Sequence, residues 1–333
     1  MEFVLQNYPS QNRRIAELLS SRLEVSTENI FIGNGATEII QAAIHNFVEK
    51  KIVVNIPTFS AYYEFVRPGV EVVYHSLNKQ NNFRLDVEAY LAMIRKEKPD
   101  SVVLINPNNP DGGYIPFEDI KYLLGELKDV ENIILDESFI HFAIEEEDRF
   151  KSAAKLINSF SNLIVVKSMS KDFGIAGIRA GYAVMNSAKV DLLLKNGYLW
   201  NLSGLAEYFF KIYGQDDFWE KYERARIKYI KKTQKFVRTL SEIEGIKTYP
   251  SWANFALIEL VDGSKSFDVF SKLLVEHGVY TRNCSDKIGL DGEFLRIAAR
   301  NKKENAIIIQ SLKSLFPDKK ESTLELDLAY FCV

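Results

Sequence analysis

The residues best suited to chemistry in this sequence form one short ordered set: Ser168, Ser170, Lys171, Gly177, Arg179 and Gly181. An apolar run over 163–166 reads as a buried strand that delivers Ser-x-Ser-Lys at its end. A lysine at the mouth of a sheet, flanked by small hydroxyls, can hold an anion or form an imine with an aldehyde. A solvated lysine in a glycine-rich turn is the plainer account of a Ser-Lys pair alone, but the full set is much rarer.

Other stretches carry groups that complement such a lysine. Gly33-Asn34-Gly35-Ala36-Thr37 is a glycine-rich turn opening a helix, whose free N–H groups and dipole suit a phosphate. It lacks the Lys-Ser/Thr ending of a nucleoside-triphosphate loop and the spacing of a dinucleotide fingerprint. Pro57-Thr58-Phe59-Ser60-Ala61-Tyr62 places Tyr62 one turn into a helix, where it can stack on a flat aromatic cofactor or simply pack in the core. Asn106-Pro107-Asn108-Asn109-Pro110 before Gly112-Gly113 is a stiff turn that presents an amide at a strand end. Asp136 directly follows the apolar run 133–135, so it pays a desolvation penalty unless a cation or proton donor meets it. A pyridinium nitrogen is such a partner; a helix N-cap is the simpler role. Arg296 interrupts the apolar run 294–298, which suggests a carboxylate or phosphate partner, or a structural ion pair; Arg282 and Arg300 lie nearby in sequence.

The elements that position these groups alternate. Short apolar strand patterns near 30–32, 52–56, 70–75, 101–105, 133–135, 163–166 and 182–185 are separated by amphipathic helical ones. That order predicts an α/β fold with a mainly parallel sheet sandwiched by helices, whose ligands sit at the carboxyl ends of the strands. Beyond residue 187 longer helices lead to shorter strands at 256–260, 279–281 and 294–298, which predict a smaller α+β domain. The expected division is a large cofactor-binding domain over 28–235 and a small domain over 236–318. An N-terminal segment, 1–27, is expected to pack with the small domain, and the tail 319–333 matches no element.

Composition narrows the classes. A chain of 333 residues is long for one compact core, which agrees with two domains. A net charge of −3 with dispersed basic residues gives no reason to expect nucleic acid or an anionic membrane as partner. Two cysteines cannot build a disulfide framework, no apolar run reaches the length of a membrane span, and no signal peptide is visible; a cytoplasmic protein is expected. The four histidines share no metal-ligand spacing, so no metal site is expected.

Taken in order, Gly-Asn-Gly-x-Thr-Glu, Pro-Thr-Phe-x-x-Tyr, Asn-Pro-Asn-Asn-Pro-x-Gly, Asp-Glu-x-Phe and Ser-x-Ser-Lys-x-x-Gly-x-x-Gly-x-Arg-x-Gly-Tyr resemble the fold-type-I pyridoxal-phosphate enzymes, the aspartate aminotransferase fold. Within them the closest likeness is to the branch of histidinol-phosphate aminotransferases and threonine-phosphate decarboxylases. The resemblance implies pyridoxal 5′-phosphate as cofactor, Lys171 as its imine-former, Asp136 at the pyridine nitrogen, Asn109 at the ring hydroxyl and Tyr62 stacked on the ring. The phosphate would be held by the amides of Ala36 and Thr37, the hydroxyls of Ser168 and Ser170, and Arg179. Asn7-Tyr8-Pro9 resembles the motif whose tyrosine reaches the phosphate of a neighbouring subunit, which implies a two-fold homodimer with shared sites. The family has a longer segment before this Tyr-Pro, with an arm that closes over substrate; the arm is expected to be missing or to belong to a longer parent. Phe139 stands where most aminotransferases of the fold have a tyrosine, and Phe cannot donate to the ring hydroxyl.

At the substrate end the resemblance implies that Arg296 anchors a carboxylate or phosphate, that Arg282 is a second phosphate ligand, and that Asn254 lines the site. Arg300 and Phe139 look closer to the threonine-phosphate decarboxylases. The leading expectation is an aminotransferase acting on a small phosphorylated amino acid or amine. The alternatives are a phospho-amino-acid decarboxylase of the threonine- or serine-phosphate class and an inactive binding or scaffold subunit.

Overall fold

In a computed structural model that describes residues 4, 6–146 and 149–317, the short apolar runs become the strands of one seven-stranded sheet. β1 (Ile30–Gly33), β2 (Lys51–Ile56), β3 (Glu71–Ser76), β4 (Ser101–Ile105), β5 (Asn132–Asp136), β6 (Leu163–Ser168) and β7 (Gly181–Met185) lie in the order β1-β7-β6-β5-β4-β2-β3. β2 to β6 pair in parallel, and β7 runs antiparallel to both its neighbours. The carboxyl ends of β1, β2, β4, β5 and β6 therefore share one edge with the start of β7.

Because side chains alternate along a strand, each apolar run feeds two cores. Val102, Leu104, Ile133, Leu135, Leu163 and Val165 join one layer; Val103, Ile105, Ile134, Ile164 and Val166 join the other. The helix Ala36–Phe47 covers the second layer with Ile39, Ile40, Ala43, Ile44 and Phe47, while the helices Val87–Glu97 and Phe117–Glu126 cover the first. Continuous apolar strands are what a sheet buried on both faces demands.

A second, antiparallel sheet follows: β8 (Ile246–Thr248), β9 (Phe255–Leu260), β10 (Arg282–Asn283) and β11 (Phe294–Ala298), in the order β10-β11-β9-β8. It has its own core with the helices Ser266–His277 and Lys302–Leu315. The strand expected over 279–281 forms instead as the short β10. The long helix Asp216–Leu240 connects the two bodies: Phe218 and Trp219 pack on the large core, Phe236 and Leu240 on the small one. The expected 235/236 boundary falls inside it, and the tail 319–333 lies outside the described residues.

One placement differs from expectation. The N-terminal helix Asn12–Leu23 packs on the large sheet, not with the small domain. Ile15, Ala16 and Leu19 form one buried stripe against Ile30 and Ile32 of β1 and against Ala206 and Phe210. The side chain of Asn12 then both donates to and accepts from Ile32, at 2.7 and 3.1 Å, which pairs the outward-facing backbone of this edge strand, whose carbonyl also accepts from Asn201 at 3.2 Å.

Candidate active site

The carboxyl ends of β1, β2, β4, β5 and β6 all deliver groups to a single cavity. Its lining includes Ala36 and Thr37 after β1, Phe59 after β2, Asn109 after β4, Asp136, Ser138 and Phe139 at and after β5, and Ser168, Ser170, Lys171 and Arg179 after β6. The cavity lies on the face of the second core layer, with Ile40 and Ile105 in its wall.

One end is built for an anion. The helix Ala36–Phe47 begins here, with Gly35 before it at φ +79°. Arg179 leans on Gly35 so closely that a Cβ there would sit 2.5 Å from its Nη2. The Oγ of Ser170 is buried without a hydrogen-bond partner, although hydroxyls of this kind are ordinarily paired. Gly181 holds the assembly together from below. A Cβ on it would lie 2.9 Å from the nitrogen of Ala36 and 3.0 Å from the carbonyl oxygen of Lys167, both backbone atoms that cannot step aside. Gly181→Ala is therefore expected to destabilise the fold by about 1–3 kcal/mol. The check is the denaturant midpoint; an unmoved midpoint would show that the strand relaxes freely.

The other end is acidic. Asp136 is only 4% exposed and accepts from the Ser138 amide at 2.7 Å and from the hydroxyl of Tyr62 at 2.9 Å. Burial pushes its carboxyl above the usual range, while the bonds from Ser138 and Tyr62 and the charge of Lys167 pull back. Lys171 projects into the cavity between the two ends, its Nζ 6.0 Å from the centre of the Phe139 ring. Partial burial lowers its pKa first, and the positive charges of Arg296 and Arg179 add to the effect. A lysine so placed spends more time as the neutral amine that attacks a carbonyl.

Several expected residues are placed elsewhere. Tyr62 does not face the cavity: it is fully buried, and its hydroxyl is occupied by Asp136. Phe59, three positions earlier, supplies the aromatic wall instead. Both residues belong to the same Pro-Thr-Phe stretch; the short helix Ala61–Glu64 turns Tyr62 inward because its ring fills the second core layer. Arg300 is not brought to the site, since its half-exposed guanidinium pairs with Glu304 one helical turn on, at 3.3 Å. Asn254 stands at the start of β9, where its carbonyl accepts from Ala299 at 2.8 Å, outside the cavity lining. Tyr8, expected at a neighbouring subunit's phosphate rather than at its own, is 95% exposed and does not line its own chain's cavity.

Arg296 and Arg282 do approach. They are directly opposite each other on β11 and β10, hence on one face of the small sheet. Arg296 reaches across to hydrogen-bond Asn109 Oδ1 and lies over the ring of Phe255, 5.1 Å from its centre. Arg282 pairs with Asp286 at 2.6 Å. With Asn109 Oδ1 taken by Arg296, its amide nitrogen is the half left to donate into the cavity.

This donor set fits pyridoxal 5′-phosphate. Unpaired hydroxyl, helix N-terminus and arginine stand at one end, a buried carboxylate at the other, and between them a lysine whose pKa burial lowers. Among the described residues no His, Cys, Asp and Glu cluster is arranged to hold a metal, and no helix is long and apolar enough to cross a membrane.

Residues 5–312 match the family described as aminotransferase class I and II. An L-serine phosphate decarboxylase of Campylobacter jejuni is 55% identical over 316 residues, spanning 95% of this chain and 81% of that protein. The solved structure of a decarboxylase from Sulfurospirillum multivorans superposes with a TM-score of 0.89 at 48% identity, over 92% of this chain and 86% of that one. A histidinol-phosphate aminotransferase of Caldanaerobacter subterraneus is 33% identical over 316 residues, or 92% of this chain and 84% of that protein.

Proposed function

The chain belongs to the class I and II aminotransferase family, with pyridoxal 5′-phosphate as its cofactor, and from that premise we propose that it decarboxylates a phosphorylated amino acid of the O-phospho-L-serine class. The observation that carries this reading is the 55% identity to an L-serine phosphate decarboxylase over 95% of the chain, against 33% to a histidinol-phosphate aminotransferase. Decarboxylation thus takes precedence over transamination, the commonest activity of the fold and the leading expectation from the resemblance. The convergence of Lys171 and its complementary donors on one cavity favours a working site over an idle scaffold.

When bound, the cofactor supplies an aldehyde for the substrate amine and a protonated ring that withdraws electrons from a bond at Cα. The protein's part is binding, orientation and proton control. Ser168, Ser170, Arg179 and the Ala36 and Thr37 amides would hold the phosphate; Asp136 would keep the ring nitrogen protonated; Phe59 would lie against the ring. Arg296 and Arg282, adjacent on the small sheet, offer two cationic anchors for a substrate with two anionic ends. Lys171 would release the cofactor to the substrate amine and stand ready to return a proton. In the net reaction the Cα–carboxylate bond breaks, its electron pair stays on Cα and takes up a proton. O-phospho-L-serine so yields carbon dioxide and O-phosphoethanolamine.

The test is incubation of the holoenzyme with O-phospho-L-serine and no keto acid. Carbon dioxide and O-phosphoethanolamine in equal amounts are expected. Turnover that needs a keto acid and releases no carbon dioxide would overturn the reading in favour of transamination.

A further inference from the structure

Behind the cavity, on the opposite face of the sheet, lies a buried charged cluster that the chemistry above does not use. Alternation along β6 points Ser168 to the cavity side and Lys167 to the other. Lys167 is 1% exposed, and its Nζ pairs with Asp172, whose side chain is fully buried. It also donates to the Ser138 carbonyl at 3.3 Å. Ser138 is the residue whose amide bonds Asp136 and whose hydroxyl accepts from Ser168 N at 3.3 Å. A buried cation therefore grips the very turn that aims the ring-binding carboxylate.

We propose that Lys167 is a positioning residue for Asp136: its cation, balanced by Asp172, fixes the 136–138 turn and sets how readily Asp136 carries the charge that meets the cofactor's ring nitrogen. This rests on the reading of the cavity as a pyridoxal-phosphate site.

The surroundings make the cation consequential. Asp136, Glu137 and Asp172 bring three carboxyls around one lysine within the same buried region. Glu137 is spoken for by Ser152 and by the Ala153 amide at 2.7 Å. Asp172 also meets His141 Nδ1 at 3.2 Å, and His141 in turn meets the Tyr222 hydroxyl at 2.7 Å. Arg226, on the same helix as Tyr222, donates to the His141 carbonyl at 3.0 Å and pairs with Glu223 at 2.7 Å. Tyr182 and Tyr213 close the cluster from β7 and from the helix Gly204–Tyr213. Burial keeps His141 neutral by holding it well below the usual histidine range, so it adds no second cation beside Asp172. On the cavity side Asp136 faces Tyr62 and Lys171.

A cation near a buried carboxyl lowers the pH at which the carboxyl takes up a proton. Loss of Lys167 then raises that pH for Asp136, and loss of the Asp172 charge lowers it as long as Lys167 keeps its proton. The probe is 4-deoxypyridoxine 5′-phosphate, which has the ring nitrogen and phosphate but no aldehyde and so cannot bond Lys171. Its affinity for the apoprotein is measured from pH 5 to 8. Affinity falls on the acid side as the buried carboxyls take up protons. Glu137, pushed up to about 7, and Asp172, pushed up to about 6, titrate in the same window. The readout is therefore the shift of the acid limb between variants, with the probe's own phosphate titrating alike in every arm.

For Lys167→Met the acid limb is expected to move up by on the order of one pH unit. For Asp172→Asn it should move down by less, and Lys167→Arg should restore the wild-type midpoint. Should Lys167→Met fail to fold, the downward shift in Asp172→Asn decides alone. A loss of affinity by the same factor at every pH, or shifts of the same sign in both variants, would reduce Lys167 to a structural ion pair and overturn the proposal. A wild-type protein that binds neither the probe nor pyridoxal phosphate would remove the site reading and this inference with it. Binding by all variants with one common midpoint would sink only the inference.

Discussion

Lys171→Ala is expected to abolish turnover of O-phospho-L-serine, by about 10⁴-fold or more, while leaving the folded state almost unchanged. The size of the effect follows from the several tasks that converge on one amine: it would tether the cofactor, yield it to the substrate, and manage a proton. The silence in stability follows from its setting. Lys171 stands in the open cavity, its Nζ reaching no nearer ring than that of Phe139 at 6.0 Å, and it belongs to neither core layer. Truncating such a side chain alters stability by about 0.5 kcal/mol at most. Lys171→Arg should be equally inactive, because a guanidinium stays protonated and cannot attack an aldehyde. Visible absorbance of the holoenzyme reports the covalent attachment directly and should be lost in both variants. Turnover above about 1% of wild type in either would take the central role away from this residue.

Why this lysine was legible while other parts of the site were not has a physical reason. Groups that end a buried strand reveal themselves, because a polar residue after a wholly apolar run must meet a partner. Asp136, Asn109 and the Ser168–Lys171 turn all announce themselves this way, and all line the cavity. Lys167 obeys the same rule, standing directly after Val166 on β6, but it is still inside the strand, where a lone polar residue also fits an outward-facing position. Its partner Asp172 lies within the β6–β7 connection, directly after Lys171, and His141 lies in the loop after β5, so only the fold shows that the three meet. The Tyr62 and Phe59 exchange has a different cause: a motif says that an aromatic faces the ligand, but only the pitch of the short helix decides which one. The two cores were readable from strand alternation, whereas the seat of the N-terminal helix was not. An amphipathic stripe of Ile15, Ala16 and Leu19 says that something is covered, not which body covers it.

Among the arginines in and just after the small sheet, substitution should follow a steep order, with Arg296→Met the most damaging. Arg296 is mostly withdrawn from water, is bonded to Asn109 and stands close enough to Lys171 for its charge to lower that amine's pKa. A charge-assisted hydrogen bond is worth roughly 1.5–3 kcal/mol, and an arginine fork makes two to a carboxylate or phosphate. Arg296→Met should therefore lower kcat/KM by about 10²–10⁴-fold, on the 1.4 kcal/mol per tenfold scale. Arg282→Met should cost less, because Arg282 is half exposed and already shares its charge with Asp286 at 2.6 Å. Arg300→Ala should stay within about twofold of wild type, since its side chain is 59% exposed and turned to Glu304. A second readout separates binding from folding. Removing the Arg296 cation relieves one of the charges that hold the Lys171 amine down, so the pKa of that amine should rise in Arg296→Met. The rate at which the apoprotein captures pyridoxal phosphate, which needs the neutral amine, should then require higher pH than in wild type. Arg300→Ala should leave that profile unmoved. If Arg300→Ala proved as harmful as Arg296→Met, or if the capture profile shifted to lower pH, the assignment of Arg296 as the anchor nearest Lys171 would fail.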